Sequence, residues 1–299
     1  MQKEEFKSGF VSILGKPNVG KSTLLNKLLK QKVSIVSPKP QTTRNNITGI
    51  LNGEDYQIVF LDTPGIHKTK NSLDDYMQKS INASVKDVDV ILYLLDANKN
   101  FNDELESIET YSKICPLILL VNKIDEVNFQ KLFPKMAGLN SLSNVKEIVP
   151  ISAIKGDNVD EVVKCILKYL PEGPMYYSKD DVTDKTEQFM ASEIIREKSL
   201  WLLQDEIPHG IAVQIEEFKE EDDLDRISAT IFVEKESHKN IVIGSKGSML
   251  KKIGEASRKE LERMLDKKVF LSLWVKVKEK WRESDLLINN LGYNKKDIQ

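Results

Sequence analysis

Gly15-Lys16-Pro17-Asn18-Val19-Gly20-Lys21-Ser22 decides the fold of this chain. The run fits G-x-x-x-x-G-K-[ST], the spacing of a phosphate-binding loop. Phe10-Val11-Ser12-Ile13-Leu14 before it reads as a buried strand, and Ser22-Thr23-Leu24-Leu25-Asn26-Lys27-Leu28-Leu29 after it as a helix with an apolar face. The spacing has a physical cause. Glycines at both ends let the backbone curl until several N–H groups face one phosphate. The helix that follows adds the positive end of its dipole. Lys21 is placed to reach the β- and γ-phosphates and the Ser22 hydroxyl to ligate Mg²⁺. Asn18, Val19, Gly20 and Thr23 complete the cradle.

Outward from the loop, short apolar runs alternate with amphipathic stretches to about residue 170, the pattern of an α/β sheet covered by helices. The predicted strands are Gly9–Leu14, Asn46–Leu51, Gln57–Asp62, Asp89–Asp96, Leu117–Asn122 and Glu147–Ile151. Asn52-Gly53 is a hairpin signal, so one antiparallel strand is expected in a mostly parallel sheet. Asn158, three residues before Glu161, resembles a helix N-terminal box. Pro171-Glu172-Gly173-Pro174 closes this half, so residues 1–172 are expected to form a nucleotide-binding domain and 173–184 a linker. The rhythm then becomes α-β-β-α-α-β: a helix over Glu187–Leu203, paired strands at Ile211–Phe218 and Arg226–Glu234, helical Lys239–Leu265 broken by Gly244 and Gly247, and a strand at Val269–Val277. A second, α+β domain over 185–282 and a tail over 283–299 are expected.

Four further stretches bear on the nucleotide. Asp62-Thr63-Pro64-Gly65 follows a strand, with Asp62 suited to Mg²⁺ through water and the Gly65 N–H to the γ-phosphate. Asn122-Lys123-Ile124-Asp125 ends an apolar run, where base-binding residues belong in an open α/β sheet. The Asp125 carboxylate can accept from guanine N1–H and the 2-amino group together, a pair that adenine lacks. Asn122 would contact N7 and brace the loop, while the Lys123 stem packs on the ring. In Ser152-Ala153-Ile154-Lys155-Gly156 the Ala153 N–H would face guanine O6. Within Val33–Asn46, Pro40-Gln41-Thr42-Thr43-Arg44 offers a hydroxyl to complete the Mg²⁺ shell, from Thr43 or alternatively Thr42. These motifs in this order resemble the translation-factor-related GTPases, which implies GTP, GDP and Mg²⁺ as ligands, with Lys21, Thr43 and Gly65 as catalytic groups.

Composition bounds the rest. The 299 residues are 40% hydrophobic and 30% charged, with a net charge of −2, as a globular protein would be. No apolar run approaches the roughly 20 residues of a membrane span. The polar start Met1–Lys7 has no signal-peptide core. Cys115 and Cys165 lie far apart in apolar segments, so free thiols in a reducing cytoplasm are expected. The three histidines are scattered. The small net charge hides an asymmetry: Asp181–Glu234 has 5 Lys/Arg against 15 Asp/Glu, and Lys235–Arg282 has 14 against 6. A basic block beside an acidic one suits a polyanion on one face, though a solvated surface gives the same counts.

Ile243-Gly244-Ser245-Lys246-Gly247 fits a KH-type GxxG loop between two helices. Its glycines let a nucleic-acid backbone lie close, and Lys246, Lys251 and Lys252 offer charge to phosphates. With Pro17–Thr23, Gln41–Arg44, Phe189–Lys198 and Leu273-Trp274-Val275-Lys276-Val277-Lys278, the whole chain resembles the Era family of bacterial GTPases. The resemblance implies a P-loop GTPase domain followed by a type II KH domain. It further implies binding of the 3′ region of 16S rRNA, a role in small (30S) subunit assembly, and peripheral contact with the cytoplasmic face of the membrane. A monomer is expected.

Two residues qualify this. Ile66 stands where Ras-like enzymes carry the water-orienting Gln, and an apolar side chain cannot hydrogen-bond the attacking water. Asn18 resembles the Asn of GTPases that hold K⁺ beside the phosphates. The alternative function is an RNA-binding or chaperone module whose nucleotide site is structural and turns over slowly.

Overall fold

The computed structural model describes residues 6–139, 142, 144–294 and 298. The polar start at Met1–Glu5 and, in the tail, Lys295–Asp297 and Gln299 lie outside them. The chain forms two units: Met1–Ser34 with Thr43–Lys68 and Met77–Asp184, and Ile35–Thr42 with Thr69–Tyr76 and Lys185–Gln299.

The first unit's elements run β1 (Lys7–Gly15), α1 (Lys21–Leu29), β2 (Ile47–Asn52), β3 (Tyr56–Asp62), the part of α2 (Ser72–Ala83) from Met77 on, β4 (Val90–Asp96), α3 (Leu105–Tyr111), β5 (Leu117–Asn122), α4 (Phe129–Leu139), β6 (Val145–Pro150) and α5 (Val159–Tyr169). The strands form one sheet in the order β2-β3-β1-β4-β5-β6. Only β2 is antiparallel, joined to β3 through the Asn52-Gly53 turn as that dipeptide predicts. β4 and β5 are buried along their whole length, because a parallel sheet covered on both faces has no polar side. Leu14, Ile91, Leu95, Leu119 and Val121 belong to its core. β1 has β3 on one flank and β4 on the other, so the strand order reverses beside it. The crevice at the carboxyl ends of the strands there is where open α/β sheets bind ligands.

Two local expectations fail. The box at Asn158 does not form: Asn158 is left-handed (φ 59°), and its amide donates to the Pro150 carbonyl at 2.8 Å instead of capping α5. Residues 173–184 are not a free linker. Ile50 N–H donates to the Val182 carbonyl at 2.8 Å, and Thr183 Oγ1 to the Thr48 carbonyl at 2.7 Å. The Gln57 side-chain oxygen Oε1 accepts the Tyr176 and Tyr177 N–H groups at 2.7 and 3.0 Å. The segment is thus fastened along β2 and β3 by donors and acceptors the strands leave over.

The second unit contains α6 (Glu187–Leu202), β7 (Ala212–Lys219), β8 (Leu224–Val233), α7 (Glu236–Ile243), α8 (Ser248–Leu265), β9 (Lys268–Val277) and α9 (Asp285–Asn290). Its sheet has the order β7-β8-β9, with β8 antiparallel to β7 and parallel to β9. Ile195, Val213, Ile231, Val242, Ile253 and Val275 pack together, which places the helices on one face of the sheet. α6 also holds residues 35–42 of this unit. Glu197 Oε1 accepts the Val36 N–H at 2.9 Å, and Trp201 Nε1 donates to the Val36 carbonyl at 2.8 Å. Arg196, only 1% exposed, is gripped by both oxygens of Glu193 at 2.7 and 2.6 Å and donates to the Thr42 carbonyl. A buried guanidinium is tolerable only when paired in this way. No helix among the described residues is long and apolar enough to cross a membrane.

Trp281 anchors the C-terminal end of the second unit. It is fully buried, donates from Nε1 to the Gly210 carbonyl at 2.9 Å, and stacks on Tyr293 with ring centroids 5.9 Å apart. Trp281→Ala is expected to cost about 3–5 kcal/mol of this unit's stability. Denaturant unfolding checks it, and a loss below about 1 kcal/mol would contradict an anchoring role.

Candidate functional site

The phosphate loop sits at the carboxyl end of β1. Gly20 is left-handed (φ 103°) and takes the N-cap place of α1, so no side chain competes for the first N–H groups of the helix. A Cβ on Gly20 would fall 2.2 Å from Asn122 Nδ2, so close approach requires glycine as much as the torsion does. Val19 is buried, and Asn18 is exposed and left-handed (φ 62°). Lys21 arches back over the loop, its ammonium donating to the Gly15 and Lys16 carbonyls at 3.0 and 3.1 Å. Burial lowers its pKa to about 8, against the opposing pull of Asp62 and Glu104. A triphosphate there would favour the charged form.

Ser22, Thr43 and Asp62 come together beside it. Ser22 Oγ donates to Asp62 Oδ2 at 2.7 Å and lies 2.9 Å from Thr43 Oγ1. Ser34 Oγ, which no motif marks, donates to the same Asp62 oxygen at 2.8 Å. Burial raises the Asp62 pKa, against Ser22, Lys21 and Ser34. Its other oxygen, Oδ1, is buried with no hydrogen-bond partner. Such an oxygen is costly unless something satisfies it, and this set of hydroxyls and a carboxylate fits a hard, oxygen-seeking cation such as Mg²⁺. Thr42 turns away into its own bend, bonded to Ser37 Oγ at 2.7 Å and the Lys39 carbonyl at 2.6 Å. Gly65 presses on the phosphate loop, where an added Cβ would come 2.7 Å from Pro17. Ile66 donates its N–H to the Gly15 carbonyl at 3.1 Å, and its side chain packs against the core around β4 and β5.

Asn122 is the brace expected of it. Its Nδ2 donates to the Val19 carbonyl at 2.7 Å, and its Oδ1 accepts the Ala153 N–H at 2.9 Å. That second bond differs from the expectation that the Ala153 N–H faces a base. The Asn122 amide is only 3% exposed, and its oxygen takes the donor nearest to it. Asp125 Oδ1 accepts from Ser152 Oγ at 2.7 Å, which joins the Asn122–Asp125 and Ser152–Gly156 stretches, while Ile154 is 72% exposed beside them. Lys123 is left-handed (φ 68°), and its ammonium donates to Asp96 Oδ2 at 2.7 Å. Burial works against the Asp96 charge, but Lys123 and the Asn98 N–H outweigh it and hold that carboxyl below its ordinary range. Asp96 is absent from the sequence motifs. Its signal is register, since it ends β4 directly beside Asn122.

In the second unit the GxxG run forms one tight turn between α7 and α8. Gly244 (φ 73°) and Gly247 (φ 78°) both have a positive φ, Gly247 in the left-handed helical conformation, and a Cβ on Gly244 would strike the Met249 backbone at 2.8 Å. Ser245, Lys246, Lys251 and Lys252 are exposed, while Ile243 packs against the helix core. Lys246 is left-handed too (φ 51°). Ile241, one turn before the loop, is 50% exposed, an apolar contact that no motif marks.

Comparison with known proteins agrees with this arrangement. Residues 10–123 match the family described as 50S ribosome-binding GTPase, and residues 206–282 match the KH domain. GTPase Era of Clostridium botulinum (strain Eklund 17B / Type B) is 53% identical over 296 residues, covering 97% of this chain and 100% of that protein. GTPase Era of Clostridium kluyveri is 52% identical over 290 residues, covering 96% and 99%. Among solved structures, Era in complex with MgGDPNP and nucleotides 1506–1542 of 16S ribosomal RNA superposes with a TM-score of 0.92 at 43% identity, covering 97% of this chain and 99% of that one. An Aquifex aeolicus Era variant bound to GDP·AlF4⁻ gives the same TM-score and identity, covering 97% and 100%. The site geometry and relatives that match nearly end to end lead to one conclusion: this chain belongs to the Era family of GTPases.

Proposed function

We propose that this chain is a GTP-hydrolysing switch that grips the 3′ region of 16S rRNA through its KH domain and acts in assembly of the 30S subunit. The observation that carries this reading is the convergence of Ser22, Thr43 and Asp62 beside Lys21, with Asp62 Oδ1 buried and unpaired. Support for the RNA comes from the 43% identical relative solved with MgGDPNP and 16S nucleotides. The division of labour follows the domains, 1–172 for nucleotide and 185–282 for RNA, with 173–184 joining them and 283–299 as a tail.

Each residue has a role. The Asn18–Thr23 backbone and Lys21 bind the phosphates and stabilise charge on the transferring group. Ser22, Thr43 and Asp62 would hold Mg²⁺, which when bound supplies positive charge to the β- and γ-phosphate oxygens. The Gly65 N–H meets the γ-phosphate. Asp125 selects guanine, Lys123 covers the ring, and Asn122, Ser152, Ala153 and Ile154 shape the base pocket. Ile243–Gly247, Lys251 and Lys252 receive the RNA backbone. Thr43 and Thr42 are consecutive, one with its hydroxyl at Ser22 and the other with its carbonyl on Arg196. With Ile66 in place of a glutamine, the attacking water needs another organiser, and K⁺ held with the help of Asn18 is the proposed one. A cytoplasmic location with a peripheral membrane contact is part of this proposal, and flotation with anionic vesicles tests the contact.

Three measurements test this reading. Lys21→Ala should lower GTP turnover at least a hundredfold while the full chain keeps its affinity for a 16S 3′-end oligonucleotide; undiminished turnover would sink the assignment. Asp125→Ala should weaken GTP binding at least tenfold without improving ATP, by titration calorimetry. Turnover should be several-fold faster in K⁺ than in Na⁺ buffer, and Asn18→Ala should abolish the difference. Equal rates in both buffers would remove the K⁺ proposal and leave the rest standing.

A further inference from the structure

The second unit's sheet has two faces, and the helix cores of this unit pack on one of them. Along β9, Val269, Leu271, Leu273 and Val275 pack with the helix cores. Alternation puts Lys268, Phe270, Ser272, Trp274 and Lys276 on the opposite face. There Phe270 is 52% and Trp274 51% exposed. Single exposed apolar side chains are ordinary. These two aromatic rings share one face of one edge strand, with only a serine between them, about 13 Å apart along the strand.

Their neighbours are cations. Arg226 lies opposite Phe270 in the β8 register, its guanidinium carbon 5.5 Å from the ring centroid. Lys276 lies opposite Phe232, over whose ring the Lys278 ammonium sits at 5.1 Å. Among the described residues, Glu221 pairs with Arg226 at 3.1 Å. Glu217, opposite Ser228, is on β7 at the far edge. The result is a track along β9 in which two flat rings are flanked by positive charge. A partner that offers π-faces and repeated negative charge fits this chemistry, and a single-stranded nucleic acid offers both.

We propose that this exposed face of β9 is a second RNA surface, on which two unpaired bases stack on Phe270 and Trp274 while Lys268, Lys276 and Lys278 meet the backbone. It is distinct from the GxxG loop, whose flanking helices contribute Val242 and Ile253 to the opposite side of the sheet. One RNA strand therefore reaches both only by passing around the β9 edge, so the second surface engages long RNA and not short. The proposal rests on the RNA-binding reading above, and the test separates the two.

Fluorescence anisotropy with the full chain would compare a labelled 5-nucleotide and a labelled 20-nucleotide unstructured probe from the 3′ end of 16S rRNA. Phe270→Ala/Trp274→Ala should weaken the long probe about tenfold or more and leave the short one unchanged. Phe270→Tyr/Trp274→Phe, which keeps both rings, should restore the long probe to within about threefold of the parent. Gly247→Asp should weaken both probes. Equal binding of the long probe by the alanine double variant and the parent overturns the proposal, as does an equal loss on both probes in a variant whose melting temperature is unchanged. If the parent binds neither probe, the RNA-binding reading fails and this proposal with it. If the double variant keeps all RNA affinity but loses binding to RNA-free 30S proteins, the face belongs to a protein partner and the proposal is wrong.

Discussion

One side-chain amide holds the nucleotide site in register. Asn122 donates to the phosphate loop at Val19 and accepts from the loop after β6 at Ala153, so a single group at the end of β5 sets the distance between the place for phosphate and the place for base. The arrangement works because Gly20 has no Cβ. Any side chain at residue 20 would force the amide away, and both loops would lose a buried hydrogen bond. The Ile66 N–H at Gly15 and the Ser152 hydroxyl at Asp125 add further ties to the two loops, and rigid placement of a few polar groups is what gives a binding site its selectivity.

Around this brace the charges are arranged so that few are idle. Lys123 is turned to Asp96, Lys21 to two carbonyls of its own loop, and Asp62 to two serine hydroxyls. The exception is Asp62 Oδ1, and that oxygen belongs to the cluster that fits a cation. A buried carboxylate oxygen left without a hydrogen-bond partner inside such a cluster marks a place where a bound ligand adds stability.

Much of this was legible in the sequence because the motifs are local and end strands. Phosphate-binding loops, D-x-x-G and N-K-x-D each occupy a few consecutive residues whose spacing is fixed by backbone geometry, and the sheet that aligns them follows from apolar periodicity. The GxxG turn was legible for the same reason. What the sequence did not show is contact between distant residues. Ser34 bonds Asp62 from 28 positions away, and Asp96 meets Lys123 only because β4 and β5 are adjacent. The Asn158 box failed because its dihedral is left-handed, which composition does not reveal. Residues 173–184 looked like a tether because proline, glycine and charge are the usual marks of one. Their role depends on spare donors and acceptors along β2, which only the fold exposes.

That last feature bears on how the molecule behaves among its own kind. β2 is a terminal strand of the six-stranded sheet, and an uncovered terminal strand invites any other extended peptide to zip onto it. Here the chain's own Val182 and Thr183 occupy those positions. A proteolytic nick that released this stretch would leave every catalytic side chain in place and still bare a template for clumping, so the stretch guards solubility.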